Sequence, residues 1–158
     1  MQKYWTKNEC LKNIDINQFV LLSQDRDENK GNKVFYRLPL EGLHSLDLNI
    51  NKNYYEILPP DIPVKPYFDL EMEEEEFEPN EMKNKLNVFI DWLRVEIDNI
   101  FDVTLTREDI IVLDSCRTNK LSYHLIINNH MCFKSVADHK LFVQYLWSRF
   151  LKGQRGVN

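Results

Sequence analysis

Glycine is scarce in this chain, four residues in 158, and no segment repeats another. That excludes a glycine-rich disordered polymer and a solenoid. Cysteine is nearly as scarce. Cys10, Cys116 and Cys132 stand far apart with no CxxC pair, so neither a disulfide framework nor a zinc site is supported, and a reducing compartment is expected. No apolar run approaches the roughly 20 residues that span a bilayer, and the opening Met1-Gln-Lys-Tyr-Trp-Thr-Lys-Asn-Glu9 lacks the apolar core of a signal peptide. The expectation is a soluble, intracellular chain with no membrane partner.

What is present suits a folded core. Hydrophobic residues make up 43% and aromatics 12%, enough for a single compact domain or part of one. The coarse order is α/β in the α+β sense. A helix is expected over 8–23, where Cys10, Leu11, Ile14, Phe19 and Leu22 form an apolar stripe. A charged turn over 25–32 leads to a strand over 33–38, then a short helix or irregular link over 39–48 and a second strand over 53–58. Pro59-Pro-Asp-Ile-Pro63 is a break that no central strand tolerates. The 3.6-residue spacing of Leu86, Phe89, Ile90, Leu93, Ile97 and Ile100 predicts a helix over 80–101. Thr106-Arg-Glu-Asp109 reads as a cap or turn. A last helix is expected over 135–151, packing through Val136, Leu141, Val143, Tyr145, Leu146 and Phe150, with Trp147 also in the core rather than on a base-stacking surface.

Two short segments carry chemistry. In Pro66-Tyr-Phe-Asp-Leu-Glu-Met72, Asp69 and Glu71 lie two residues apart on an apolar strand. Their side chains therefore share a face at roughly 6.6 Å spacing. Burying two carboxylates beside Tyr67, Phe68 and Leu70 calls for a cation. The plain alternative is a pair of acids on a solvated face. Val112 to Ile127 reads as strand, polar turn and strand. On its second strand Lys120, Ser122 and His124 alternate onto one face, three donors suited to phosphate oxygens, while Leu121, Tyr123 and Leu125 face the core. His124 taken alone fits packing better than function; as a member of the Lys-x-Ser-x-His row it fits anion binding better.

The combination Phe68-Asp-Leu-Glu71 with Leu113-Asp-Ser-Cys-Arg-Thr-Asn-Lys-Leu-Ser-Tyr-His-Leu-Ile126 resembles the archaeo-eukaryotic primase superfamily, and within it the primase-polymerases of eukaryotes and large DNA viruses. The resemblance covers residues 31–150, with the first 30 residues fitting loosely. It implies the primase-type catalytic fold, an RRM-like mixed sheet flanked by helices, and template-directed nucleotidyl transfer. Asp69 and Glu71 would then hold Mg²⁺ or Mn²⁺, and Lys120, Ser122 and His124 would bind a deoxynucleoside or nucleoside triphosphate. Lys33, after Gly31-Asn32, would be a further nucleotide contact. The implied partners are a single-stranded DNA template and primer, with a single-stranded-DNA-binding protein or helicase beside them. The implied setting is DNA replication and damage tolerance, in the nucleus or mitochondrion of a cell or at a viral replication site.

The family adds a third acidic residue well downstream, and relatives also carry a cysteine and histidine cluster for zinc. Neither is found before Asn158. After the hairpin only Asp138 is a carboxylate, and it suits a helix start. The expectation is an N-terminal portion of a larger enzyme, incomplete at its C-terminus and inactive by itself. A non-catalytic replication factor of the same fold is the alternative, and a metal-dependent nuclease is disfavoured because Glu71-Met-Glu73 lacks the lysine of an E-x-K pair. The net charge of −5 departs from the basic character of nucleic-acid-binding proteins. The acidity is local, however: seven acids lie between Glu71 and Glu81, and outside that run 18 acids face 20 lysines and arginines. Glu73 to Glu78 read as a solvated loop; the alternative is a run that draws metal ions or repels misplaced nucleic acid.

Overall fold

Pro59 and Pro60, at the head of the expected break, mark the division of the chain into two compact units, Met1–Pro59 and Pro60–Asn158. A computed structural model describes residues 1–26, 32–46, 54–73 and 78–155. The described elements make an α+β protein with antiparallel sheets.

In the first unit, strands β1 (Gln2–Tyr4), β2 (Phe19–Asp25), β3 (Lys33–Pro39) and β4 (Tyr54–Glu56) form an antiparallel sheet in the order β1-β3-β2-β4. The helix expected over 8–23 is corrected to one short helix, α1 (Lys7–Leu11), followed by a strand. Thr6 and Glu9 form a reciprocal capping box that starts α1. Asn13 then turns the chain with φ 52°, and Asp15 Oδ1 accepts from the Asn17 N–H. From Phe19 onward pairing with β3 prevails, register running from Phe19 opposite Pro39 to Asp25 opposite Lys33. The expected 33–38 strand is β3. Most of the turn over 25–32 lies outside the described residues. Leu40–Ser45 is a 3₁₀ turn within the expected link.

The second unit contains β5 (Tyr67–Glu73), α2 (Pro79–Phe101), β6 (Ile110–Asp114), β7 (Lys120–Ile127) and α3 (Val136–Arg155). Its sheet runs β5-β7-β6, again antiparallel. The mixed sheet expected from the family resemblance is therefore not seen among the described residues. A hairpin joins β6 to β7, and a short hairpin permits only antiparallel neighbours. Leu86, Ile90, Leu93 and Ile97 of α2 meet Leu121, Tyr123, Leu125 and Ile127 of β7 in one core, joined from α3 by Phe142 and Leu146. The α2 stripe is as the periodicity predicts, and the helix ends at Asp102 in the left-handed region. The phase of α3 differs from expectation. Leu141, Tyr145 and Trp147 are exposed, whereas Phe142 is buried, because Phe142 and Leu146, one turn apart, define the face turned to the sheet. Glu96, buried on α2, accepts two hydrogen bonds from the Arg149 guanidinium on α3. No described helix is long and apolar enough to cross a membrane.

Candidate functional site

Cross-strand register brings the two motifs together. Asp69 lies opposite His124, Glu71 opposite Ser122, and Glu73 opposite Lys120. The Ile127 N–H donates to the Pro66 carbonyl at 2.9 Å, which fixes the hydrogen-bonding phase of β5 and β7. By alternation the three opposed pairs are the narrow, non-hydrogen-bonded ones, where side chains come closest.

The resulting row is charged on both strands. His124 Nε2 lies 3.3 Å from Asp69 Oδ1. Lys120 Nζ donates to Glu71 Oε1 at 2.6 Å, a diagonal reach across the row. That hydrogen bond holds the Glu71 carboxyl below its ordinary range, helped by the charges of Lys120 and His124. The same bond raises Lys120, with further help from the charges of Glu71, Glu73 and Asp69. Two carboxylates, an ammonium and an imidazole thus form one connected cluster.

The site is open rather than buried. The side chains of Asp69 and Glu71 are 62% and 52% exposed, so the expected cost of burying them does not arise. Among the described residues β5 is an edge strand of its sheet, and on the Asp69 face only its first residue, Tyr67, meets a helix, through the ring of His139. The core packs on the other face through Phe68 and Leu70. Glu73, expected in a loop, ends β5 and faces Lys120; Glu74, Glu75 and Glu76 lie outside the described residues. Ser122 differs from its neighbours, being only 5% exposed. Its N–H donates to Cys116 Sγ at 3.3 Å, so the hairpin turn folds back over it. No sequence signal singled out Cys116 for this contact; only the turn geometry reveals it.

Other sequence candidates are placed as follows. Asp138 lies in the first turn of α3 and is tied to the capping Ser135: Ser135 Oγ donates to its carboxylate and accepts from the Asp138 N–H. Lys33 belongs to the first unit, 3.9 Å from Asp25 and over the Tyr55 ring. Beside β5 an apolar cavity of about 540 Å³, lined by Phe68, Leu70, Phe89, Trp92, His139 and Trp147, reaches Asp69. His139, buried there, accepts from the Tyr67 N–H at 3.1 Å and stacks on the Tyr67 ring. Burial holds its pKa below the ordinary imidazole value.

Among the described residues, no group of three or more His, Cys, Asp or Glu side chains is arranged to hold a metal. Asp69 and Glu71 nevertheless fit a hard divalent cation, since they offer paired carboxylate oxygens on an open face. Mg²⁺ commonly uses one or two carboxylates and completes its shell with water and substrate phosphates. No protein-family model matches the chain, and no curated protein sequence matches it.

Proposed function

We propose that this chain carries the metal and triphosphate face of a DNA primase-polymerase, transferring nucleotides to a primer on a single-stranded DNA template. The observation that supports this reading most is the register: Asp69 and Glu71 oppose His124 and Ser122, and Lys120 reaches Glu71. Acids for a cation and donors for a phosphate therefore form one row. The primase-type fold is part of the same proposal.

Asp69 and Glu71 would hold Mg²⁺ or Mn²⁺. When bound, the ion supplies Lewis acidity and neutralises charge on the transferring phosphoryl group. Lys120, which neutralises Glu71 in the free protein, turns its ammonium to a phosphate oxygen once a triphosphate arrives. His124 contributes an N–H to the same group. Charge-assisted donors of this kind strengthen as negative charge grows on the leaving pyrophosphate. Ser122, two residues from each, positions the row through its backbone N–H, which donates to Cys116 Sγ.

Extension of a labelled primer on a single-stranded template tests the reading, using the full-length polypeptide with Mg²⁺ or Mn²⁺. Asp69→Ala should lower incorporation by about 100-fold or more, the scale of removing one preorganised electrostatic group. Undiminished extension by Asp69→Ala rejects the assignment.

A further inference from the structure

Trp5 stands on the surface of the first unit, 59% exposed, between strand β1 and the capped start of α1. Two cations from separate parts of the sheet converge on it. Lys3 of β1 places Nζ 4.4 Å from the indole centroid, and Arg26, immediately after β2, places Cζ 4.9 Å from it. Neither cation has a carboxylate partner among the described residues. The frame around them is fixed. Tyr4 pairs with Phe35, Thr6 is tied to Glu9 by the capping box, and the Arg26 N–H donates to the Asn32 carbonyl at 2.8 Å.

We propose that Trp5, Lys3 and Arg26 form a stacking platform for single-stranded nucleic acid: one base lies on the indole, and the flanking phosphates take the two cations. A large exposed ring gives a sequence-tolerant surface for any base, and adjacent cations follow a phosphate backbone. The cations now rest on the ring, an interaction that an anionic phosphate outcompetes. A membrane is a poorer fit, because interfacial docking needs a continuous apolar face, whereas Thr6 and Lys7 follow Trp5 and Lys3 precedes it. The platform lies wholly within the first unit and stands independently of the proposed Asp69 and Glu71 site.

Fluorescence anisotropy of a labelled oligo(dT) decides the matter, with the intact chain in EDTA and without nucleotide, so that metal-dependent contacts do not contribute. Trp5→Ala should weaken binding about 10-fold, while Trp5→Phe, which keeps a ring, stays within about threefold of wild type. Lys3→Ala with Arg26→Ala should weaken binding and flatten the salt dependence by about 1.4 in log–log slope, near 0.7 for each lost phosphate contact. Circular dichroism should be unchanged in each variant. Absence of oligonucleotide binding by the wild type, or equal binding by Trp5→Ala, overturns the proposal. So does Trp5-dependent attachment to phosphatidylserine vesicles without oligonucleotide binding.

Discussion

Asp69 and His124 come from motifs far apart in sequence and stand directly opposite each other on β5 and β7, Nε2 3.3 Å from Oδ1. The antiparallel register makes this pair, and once it is set the neighbouring positions follow. Shifting β5 by one residue would turn both carboxylates into the core and Phe68 and Leu70 outward. The apolar face thus enforces the polar one.

At the proposed site a metal ion would have to compete with Lys120, which donates to Glu71 Oε1. Removing the lysine in Lys120→Ala deletes the hydrogen bond that lowers the Glu71 carboxyl, so that group should titrate at higher pH, approaching its ordinary value. Mn²⁺ affinity should rise or hold, while triphosphate affinity falls. Carboxyl titration by NMR alongside calorimetry separates the two effects. A parallel loss of metal and nucleotide binding would mean that Lys120 only supports the strand.

His124→Ala should raise the nucleotide concentration needed for half-saturation by about 10-fold, the usual scale of one charge-assisted hydrogen bond, with template affinity unchanged. Titrations with nucleotide and with unprimed template provide the comparison. Equal effects on both ligands would contradict a phosphate role.

His139 gives a pH dependence of known sign. Its folded pKa is depressed by burial, so the neutral ring is favoured in the folded state. The stability that this provides is present above the unfolded value of about 6.5 and is lost as pH falls through the lower folded value. Protonation also removes the acceptor used by the Tyr67 N–H. Urea midpoints measured from pH 7.5 downward should fall across this window, and His139→Phe should flatten that part of the profile. A wild-type midpoint constant across the window would refute the claim.

The phase of α3 separates two neighbours. Phe142→Ala should cost about 3–5 kcal/mol, whereas Leu141→Ala, at an exposed position, should change stability by no more than about 0.5 kcal/mol. Denaturant unfolding of the two variants reads this directly, and equal losses would point to a different helix face.

Much of the second unit was legible because its signals are local. The α2 stripe from Leu86 to Ile97, the alternation around Asp69 and Glu71, and the hairpin carrying Lys120 to His124 each fit one period over enough residues. What periodicity could not supply was the partner of each strand. The 2.6 Å contact between Lys120 and Glu71 needs the register of β5 on β7, and the exposure of Asp69 needs β5 to be an edge. The first unit was less legible. Cys10, Leu11 and Ile14 continue into Phe19 and Leu22 at nearly helical spacing, yet Asn13 breaks the helix and long-range pairing with β3 takes Phe19 onward. The Trp5 cluster was hidden for the same reason, since Lys3 and Arg26 meet only through the sheet.

Calorimetric titration of a nucleoside triphosphate into the wild-type chain, with and without Mn²⁺, tests the central claim most directly. Binding should depend on the metal, be lost in Asp69→Ala and Glu71→Ala, and be weakened in His124→Ala. Triphosphate binding that is indifferent to Mn²⁺, or that persists unchanged in Asp69→Ala, would contradict it.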